Sequence, residues 1–298
     1  LGFLIPAVHI RDNLELSPSH YRITLMGVTV GEAEIYPERE LAINPGQVFG
    51  DIEGIKTTDP AFGLSAIWID QAQKESAQSM GYTVVDASTV VATHLSQLVQ
   101  SHAYELLGHE EVENLLQKLA KVAPKLVENL IPDTLSLGAV VKVLQNLLTE
   151  QVPIRDMRTI AETLAEYGVR SQDPAVLTAA VRIALSRLII QNINGLEPEL
   201  PVITLDPNLE QILHQSLQSS GDDTVNIEPG LAESLQQSLK ETAERQEAAG
   251  QPAVLLTSPG LRSSLAHFAR FGVSGLHVLS YQEIPDSKQV RVVATVGQ

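Results

Sequence analysis

Alternating hydrophobic and polar positions in the first part of the chain predict β-strands. The alternation is weak at residues 7–10 and clearer at residues 21–26 and 28–30, which flank Gly27. Two short alternating runs around a glycine are typical of antiparallel strands joined by a tight turn. We therefore expect a β-rich N-terminal stretch.

A strand–helix–strand pattern follows between about residues 38 and 86. Hydrophobic runs at residues 65–69 and 82–85 predict strands, and residues 71–80 between them predict a helix. Asp70 is placed to cap that helix and Gly81 to end it. Residues 46–58 contain three glycines and predict a loop. This segment therefore reads as a small α/β unit.

Helical spacing of apolar residues takes over from residue 88 to about residue 193. Ser88 is placed to cap the first helix of this region. Pro153 is expected in the first turn of a later helix, a position that tolerates proline, with Met157 and Ile160 on its buried face. These patterns predict an all-helical bundle.

Strand and helix patterns alternate again after about residue 193. Strands are predicted at residues 202–205, 253–257, 276–280 and 290–294, and helices at residues 209–217, 231–249 and 261–271. Residues 219–230 read as an acidic, flexible connector. The alternation predicts a second α/β domain.

Composition narrows the function classes. Acidic residues outnumber basic ones 36 to 20, which argues against nucleic acid and anionic membranes as partners, because both need clustered Lys and Arg. The absence of cysteine excludes disulfides and thiolate chemistry. No apolar run approaches the roughly 20 residues of a spanning helix. Because the chain opens without Met, directly in strand-like sequence, we expect a soluble fragment of a longer protein.

Signatures of enzymes and metal sites are missing from the sequence. It contains no P-loop, dinucleotide fingerprint, nucleophile elbow or paired His–Glu zinc helix. His94 and His102 lie two turns apart on one predicted helix, too far for joint ligation without another element. We therefore expect no catalytic residues, no metal and no cofactor.

Two short segments each allow a structural and a functional interpretation. Asp59 can fix a turn by bonding the backbone ahead of it, with Phe62 as a core plug; alternatively, Phe62 lines an apolar groove and Asp59 is a polar handle beside it. Thr89 and Thr93 can bond back to their own helix, or Thr93 can face a cleft. The sequence leaves both choices open.

A pair of arginines allows a similar choice. Arg155 and Arg158 can lie on a solvated helix face, with Arg158 pairing with Glu162 one turn on. An ion pair between subunits is the alternative.

Three segments carry a resemblance to a known family: residues 59–69, which include Asp-Pro-Ala-Phe-Gly-Leu, residues 87–95 and residues 152–160. Together they resemble the cytoplasmic domain of the flagellar type III export-gate proteins, the FHIPEP family. Residues 9–13, 41–46, 142–148 and 291–296 resemble the same family in the same order, so the similarity covers nearly the whole chain.

The resemblance implies an α/β multi-domain fold. It has two small N-terminal α/β subdomains, one inserted in the other, then a helical bundle and a C-terminal α/β subdomain. We expect the first subdomain at residues 1–37 and 87–106, truncated at its N-terminus, and the inserted one at residues 38–86. The helical subdomain is expected at residues 107–190 and the last at residues 191–298.

The resemblance also implies a non-enzymatic docking platform at the cytoplasmic face of the bacterial inner membrane. Family members bind flagellar export chaperones with their substrates and order export with the ATPase complex and a partner gate protein. They form a nonameric ring. Chaperones dock in a hydrophobic dimple between the first two subdomains. The family's contact residues match Asp59, Phe62 and Thr93, and further contacts are expected at Pro45, Lys74, Val85 and Val90.

Two alternative functions remain. One is the export gate of a virulence injectisome, with the same mechanism and other cargo; such gates match residues 59–62 and 89–94 less well, so the flagellar branch is favoured. The other is a small-molecule α/β enzyme with acidic residues in a cleft. Convergent carboxylates or histidines with shifted pKa values in a deep pocket would support the enzyme.

Overall fold

The protein is described here by a computed structural model that covers residues 1–220 and 228–297. Apart from the first two residues, the chain divides into two compact units, Phe3–Gly108 and His109–Gln298. The boundary lies two residues from the predicted end of the first subdomain at residue 106. The finer division into four subdomains stays a prediction.

A β-hairpin opens the first unit. Strands β1 (His20–Leu25) and β2 (Val28–Glu34) pair antiparallel across Met26 and Gly27. Both turn residues have positive φ, 48° and 84°, as a two-residue turn that matches the strand twist requires. The predicted hairpin is therefore confirmed. The weak strand expected at residues 7–10 is wrong, because that segment has no regular secondary structure.

An antiparallel sheet forms the centre of the first unit. Its order is β4 (Ile55–Thr58), β5 (Ser65–Asp70), β3 (Arg39–Ile43), β6 (Thr83–Asp86). A 3₁₀ turn at Gln71–Gln73 leads into helix α1 (Lys74–Ser79), and helix α2 (Ala87–Ser101) follows β6. The loop predicted for residues 46–58 is wrong at its end, where β4 lies.

The two faces of this sheet are covered by different helices, as the alternation of side chains along strands requires. Leu41, Ala66 and Trp68 on one face pack against Ala87 and Val90 of α2. The opposite face contributes a second cluster that includes Ala77 of α1; its buried members are Ala42, Ile69, Ala77 and Tyr82. The Asp59–Leu64 loop is thus carried by a sheet with a core on both sides.

The N-terminus of α2 is capped differently from the prediction. The carboxylate of Asp86 accepts hydrogen bonds from the Thr89 amide at 2.7 Å and the Ser88 hydroxyl at 2.9 Å. Ser88 is therefore not the cap. Carboxylate oxygen is a strong acceptor for the unpaired amides of a first turn. These bonds hold the pKa of Asp86 below its ordinary value.

Helices form the first half of the second unit. They are α3 (His109–Ala120), α4 (Pro124–Glu128), α5 (Leu137–Thr149), α6 (Met157–Gly168), α7 (Pro174–Ala184) and α8 (Ser186–Asn194), with a π-helical turn at Asn129–Thr134. Pro153 does not lie in the first turn of α6, because Asp156 caps that helix through the Thr159 amide at 3.0 Å. No single described helix has the length and apolarity to cross a bilayer; α7 and α8 pass that test only together, with a 68° bend between them.

A parallel sheet forms the second half of this unit. Its order is β10 (Gln289–Val296), β7 (Glu199–Leu205), β8 (Val254–Thr257), β9 (His277–Ser280). Helices α9 (Pro207–Ser220), α10 (Pro229–Ala248) and α11 (Pro259–Arg270) connect the strands. Their apolar faces share one core with the sheet, including Leu213, Leu239 and Leu265. Most of the predicted connector, residues 221–227, lies outside the described residues. The mixed α/β class is confirmed.

Candidate functional site

The loop from Asp59 to Leu64 closes on itself through three hydrogen bonds. The Asp59 amide donates to the Leu64 carbonyl at 2.8 Å, and the Gly63 amide donates to the Asp59 carbonyl at 2.9 Å. The Asp59 carboxylate accepts from the Phe62 amide at 2.7 Å. Because Asp59 is only 3% exposed, its carboxylate serves the turn from inside. This matches the structural interpretation of Asp59.

Phe62 projects away from the core. Its residue is 61% exposed, and Leu64 beside it is 40% exposed. The interpretation of Phe62 as a core plug is therefore wrong. A turn fixed by a buried carboxylate presents two large apolar side chains to the outside, an arrangement that resembles recognition sites with an apolar surface on a rigid frame.

A polar pair joins β1 to α2 in the same unit, and the charge of Asp59 acts on both of its members. The Tyr21 hydroxyl on β1 and Nδ1 of His94 on α2 are 2.7 Å apart, and their rings pack edge to face with centroids 5.7 Å apart. Burial, and then the negative charge of Asp59, raises the pKa of Tyr21 to about 12. Burial lowers the pKa of His94, and Asp59 partly offsets this effect. At neutral pH, a protonated phenol and a neutral imidazole therefore face each other.

Sequence reasoning weighed His94 and His102 as a metal pair and favoured packing or surface roles for them instead. The two histidines have separate partners, since Nδ1 of His102 lies 2.8 Å from the Glu105 carboxylate. Position 94 follows Ala87 and Val90 at helical spacing, on the buried face of α2. That spacing was a signal that His94 lies in a packed, hydrogen-bonded position.

Pro45 lies at the same end of the sheet as Phe62. The Asn44 amide donates to the Ser65 carbonyl at 2.9 Å, which ties the loop after β3 to the strand that leaves the Phe62 loop. Pro45 is exposed. Thr93 is half-buried and directly precedes His94 on α2. The structure thus places Asp59, Phe62 and Pro45 at one end of the sheet, and the position of Thr93 beside them stays a prediction.

Val90 is buried and Val85 is partly buried. Val90 is 2% exposed and belongs to the core between α2 and the sheet, and Val85 packs against that core. In this conformation Val90 has almost no surface to offer a partner. Its direct contact with a chaperone stays a prediction, and its observed role is to support α2.

Lys74 lies towards the opposite end of the sheet. Its ammonium group is 3.2 Å from the Glu40 carboxylate, and Glu40 pairs in register with Asp86. Ile43 pairs with Ala66, close to the Phe62 loop, and lies three residues after Glu40 on β3. At the rise of a strand, Glu40 and Ile43 are roughly 10 Å apart. Lys74 is thus separate from the group around Phe62.

The two arginines of the third family segment lie on an exposed surface. Nε of Arg158 is 2.9 Å from the Glu162 carboxylate one turn on, and this bond raises the pKa of Arg158. The side chains of Arg158 and Glu162 are 69% and 53% exposed. This contact matches the solvated-face interpretation. The inter-subunit pair stays a prediction.

A buried ring of four charged side chains in the second unit was missed from the sequence. Arg182 of α7 contacts the Glu283 carboxylate through Nε at 2.7 Å and Nη2 at 3.0 Å, and contacts Glu150 through Nη1 at 2.9 Å. Arg262 of α11 closes the ring by contacts with Glu150 and Glu283. Burial by itself would lower the pKa of Arg182, but the two carboxylates raise it overall.

A metal site or an acidic pocket would point to an enzyme. Within residues 1–220 and 228–297, no group of three or more His, Asp or Glu side chains is arranged to hold a metal ion. An open groove between α3, α4 and α5 is lined by Leu116, Val127, Ile131 and Leu137, and Glu113 is its one carboxylate. The groove thus has no convergent carboxylates or histidines.

Comparison with known proteins adds independent information. Residues 1–289 match the FHIPEP family. The whole chain is 51% identical over 297 residues to the flagellar biosynthesis protein FlhA of Escherichia coli K12 and spans 42% of that protein's length. A Chlamydia pneumoniae CdsV structure, solved with CdsO, matches 98% of this chain and 85% of its own, with 25% identity and a TM-score of 0.86. The nonameric EPEC SctV-C structure matches 98% of this chain and 88% of its own, with 26% identity and a TM-score of 0.79.

Proposed function

The chain belongs to the FHIPEP family, and we propose that it is the cytoplasmic docking platform of a flagellar type III export gate. On this proposal it binds export chaperones with their substrates and orders their export, at the cytoplasmic face of the bacterial inner membrane. Its role is binding, without a catalytic step or a cofactor.

The observation that carries the proposal is the exposed Phe62 on a loop fixed by the buried Asp59. A large apolar side chain held outside by an internal hydrogen bond loses little conformational freedom when a partner covers it. On this proposal Pro45, Leu64 and Thr93 extend the docking surface. Val85 and Val90 support it from the core of the same unit.

Identity favours the flagellar branch over the injectisome branch. The chain is 51% identical to a flagellar protein over its length, against 25% and 26% for the CdsV and SctV-C structures. We therefore expect flagellar chaperones to be the partners. Virulence-type chaperones are the comparison that tests this choice.

Assembly into a ring of nine copies is part of the proposal. SctV-C, which shares the fold over 98% of this chain, is nonameric. CdsV was solved in complex with CdsO. We infer that this chain likewise works as an oligomer and contacts further export components, among them the ATPase complex and the partner gate protein.

Calorimetric titration with a flagellar chaperone bound to its late substrate tests the docking site. Covering one large apolar side chain contributes about 1.5–3 kcal/mol, so Phe62→Ala should raise Kd roughly 10- to 100-fold. Because Phe62 is outside the core, its removal should leave the thermal unfolding of the protein unchanged.

Phe271→Ala is the matched control. Phe271 is 75% exposed but lies in the second unit, so its removal should leave Kd unchanged. Equal affinities of wild type and Phe62→Ala would reject the docking site. Equal binding of a virulence-type chaperone would reject the flagellar assignment.

A further inference from the structure

The loops that carry Pro45 and Phe62 adjoin two neighbouring strands at the same end of the sheet. Strands β3 and β5 are antiparallel neighbours, so the end of β3 lies beside the start of β5. The Asn44 amide donates to the Ser65 carbonyl at 2.9 Å at this point. Because neighbouring strands are about 5 Å apart, the two loops meet the sheet side by side.

We propose that Asn44 is a positioning residue of the docking surface, whose side chain holds Pro45 in place beside the Phe62 loop. The inference rests on the proposed docking function. Asn44 is half-buried, and it can act without touching the partner. On this proposal the docking surface consists of two loops, one fixed by Asp59 and the other by Asn44.

The side chain of Asn44 closes a turn around Pro45. Its Oδ1 accepts a hydrogen bond from the Gly46 amide at 2.8 Å. Asparagine side chains stabilise turns by bonding the backbone two residues on, and the proline ring fixes φ of the residue between. Gly46 completes the turn with a positive φ of 122°, which glycine adopts without strain. Pro45 therefore leaves β3 in one direction.

Proline at position 45 makes this side-chain bond important. Pro45 has no N–H group, so it cannot donate to the ladder between β3 and β5. The Asn44 amide is the last backbone donor of β3 before the proline, and its bond to Ser65 holds the end of the strand. Beyond that point, the bond between Asn44 Oδ1 and Gly46 continues the fixation into the loop.

A continuous set of bonds joins this turn to the Phe62 loop. Ser65 directly follows Leu64, whose carbonyl accepts from the Asp59 amide at 2.8 Å. The Asp59 carboxylate accepts in turn from the Phe62 amide at 2.7 Å. The two loops thus share residues 64 and 65 as a common base. Pro45 and Phe62 are both exposed, each on a turn closed by a side-chain oxygen.

Loss of the Asn44 side chain should release Pro45 and leave Phe62 in place. A surface that already has its bound arrangement loses less conformational freedom on binding. Without an acceptor for the Gly46 amide, the turn populates other conformations, and only the fraction with Pro45 in place binds with full affinity. Affinity therefore falls although every contact residue is still present.

Calorimetric titration of the whole chain with the flagellar chaperone and its late substrate tests this role. Asn44→Ala should raise Kd about fivefold, the effect of one lost hydrogen bond. Asn44→Asp should have a Kd close to that of wild type, because its carboxylate can accept from the same amide. Asn13→Ala is the matched control. Asn13 Oδ1 also accepts from the amide two residues on, that of Glu15, at 3.0 Å, and its loss should leave Kd unchanged.

Two further measurements separate positioning from a general loss of stability. Pro45→Ala should itself weaken binding, and Asn44→Ala should cause little further loss in that background, because it acts through Pro45. Amide hydrogen exchange reports the turn directly. Exchange of the Gly46 amide should be faster in Asn44→Ala than in wild type and close to wild type in Asn44→Asp.

An unchanged Kd for Asn44→Ala or for Pro45→Ala, while Phe62→Ala weakens binding, would overturn the positioning role alone. Equal losses for Asn44→Ala and Asn44→Asp would also overturn it, because the acceptor would then not be the cause. So would an equal loss from Asn44→Ala with and without Pro45. An unchanged Kd for Phe62→Ala would instead overturn the docking site on which the inference rests.

Discussion

The buried ring of Arg182, Arg262, Glu150 and Glu283 yields a prediction of large magnitude. Glu283→Gln keeps the shape of the side chain and removes its charge. The ring then holds two guanidinium groups and one carboxylate, in a place where the side chains of Arg182 and Arg262 are 3% and 5% exposed. Breaking a buried pair by removing one partner costs about 3–5 kcal/mol, because the remaining charge is not compensated.

Urea unfolding followed by circular dichroism measures this loss. With an m-value on the order of 2–3 kcal/mol/M, the midpoint should fall by roughly 1–2 M. A chain of two units need not unfold in one step, so the probes are read separately. The circular dichroism signal is dominated by the helices of the second unit, whereas fluorescence of Trp68, the one tryptophan, follows the first.

An exposed pair of the same chemistry provides the control. Arg158 and Glu162 are 69% and 53% exposed, so Glu162→Gln should barely move the urea midpoint, because water screens the pair. A second comparison is Arg182→Met combined with Glu283→Gln, which leaves Glu150 and Arg262 as a balanced pair. The double variant should be more stable than the sum of the single losses implies. If Glu283→Gln costs no more than Glu162→Gln, the reasoning on buried charge is refuted.

Two further predictions concern histidine and glycine. Burial, and then the charge of Arg182, lowers the pKa of His277 below 6.5, so the unfolded state binds more protons than the folded state below that pH. The contribution of His277 to stability should therefore be complete above pH 6.5 and decrease as the pH falls towards the folded pKa. His277→Gln should flatten this slope in urea titrations from pH 7.5 to 5. Gly31→Ala places a Cβ 2.6 Å from Leu98 Cδ1 and should destabilise the first unit by about 1–3 kcal/mol, measured by the fluorescence of Trp68 during unfolding. Gly230→Ala is the control, because position 230 has open space around it and the variant should unfold like wild type. Equal midpoints for the two variants would contradict the predicted crowding.

The alternation of hydrophobic and polar residues predicted strands that turn one side away from water. It failed for β4, whose residues are all exposed. Strand β5 was found because it buries residues against a core, and the hairpin strands because half-buried and exposed residues alternate along them. β4 was missed because all four of its residues are exposed, at the edge of the sheet, so no alternation marks it. The cap of α2 was misplaced by two residues because both Ser88 and Asp86 are good capping residues, and only the geometry decides between them.

The sequence identified residues of the candidate site but not the different role of each one. The resemblance to the family named Asp59 and Phe62 together, as if both faced a partner. The structure separates them, because the same turn that buries the Asp59 carboxylate expels Phe62. Tyr21 was out of reach of the sequence, since it lies 73 residues before His94 and outside every segment that carries the family resemblance.

The charged ring could not be predicted from the sequence either, and it bears on whether the second unit unfolds as one. Its members are up to 112 residues apart where they bond, and no local pattern distinguishes them from surface charges. Yet Glu150 and Arg182 belong to the segment predicted as a helical bundle, and Arg262 and Glu283 to the segment predicted as a C-terminal α/β subdomain. If the two predicted subdomains moved separately, the four charged side chains of the ring would lose the ion pairs that neutralise them. The cost of leaving any of them buried without its partners therefore favours one cooperative unit from residue 109 onward.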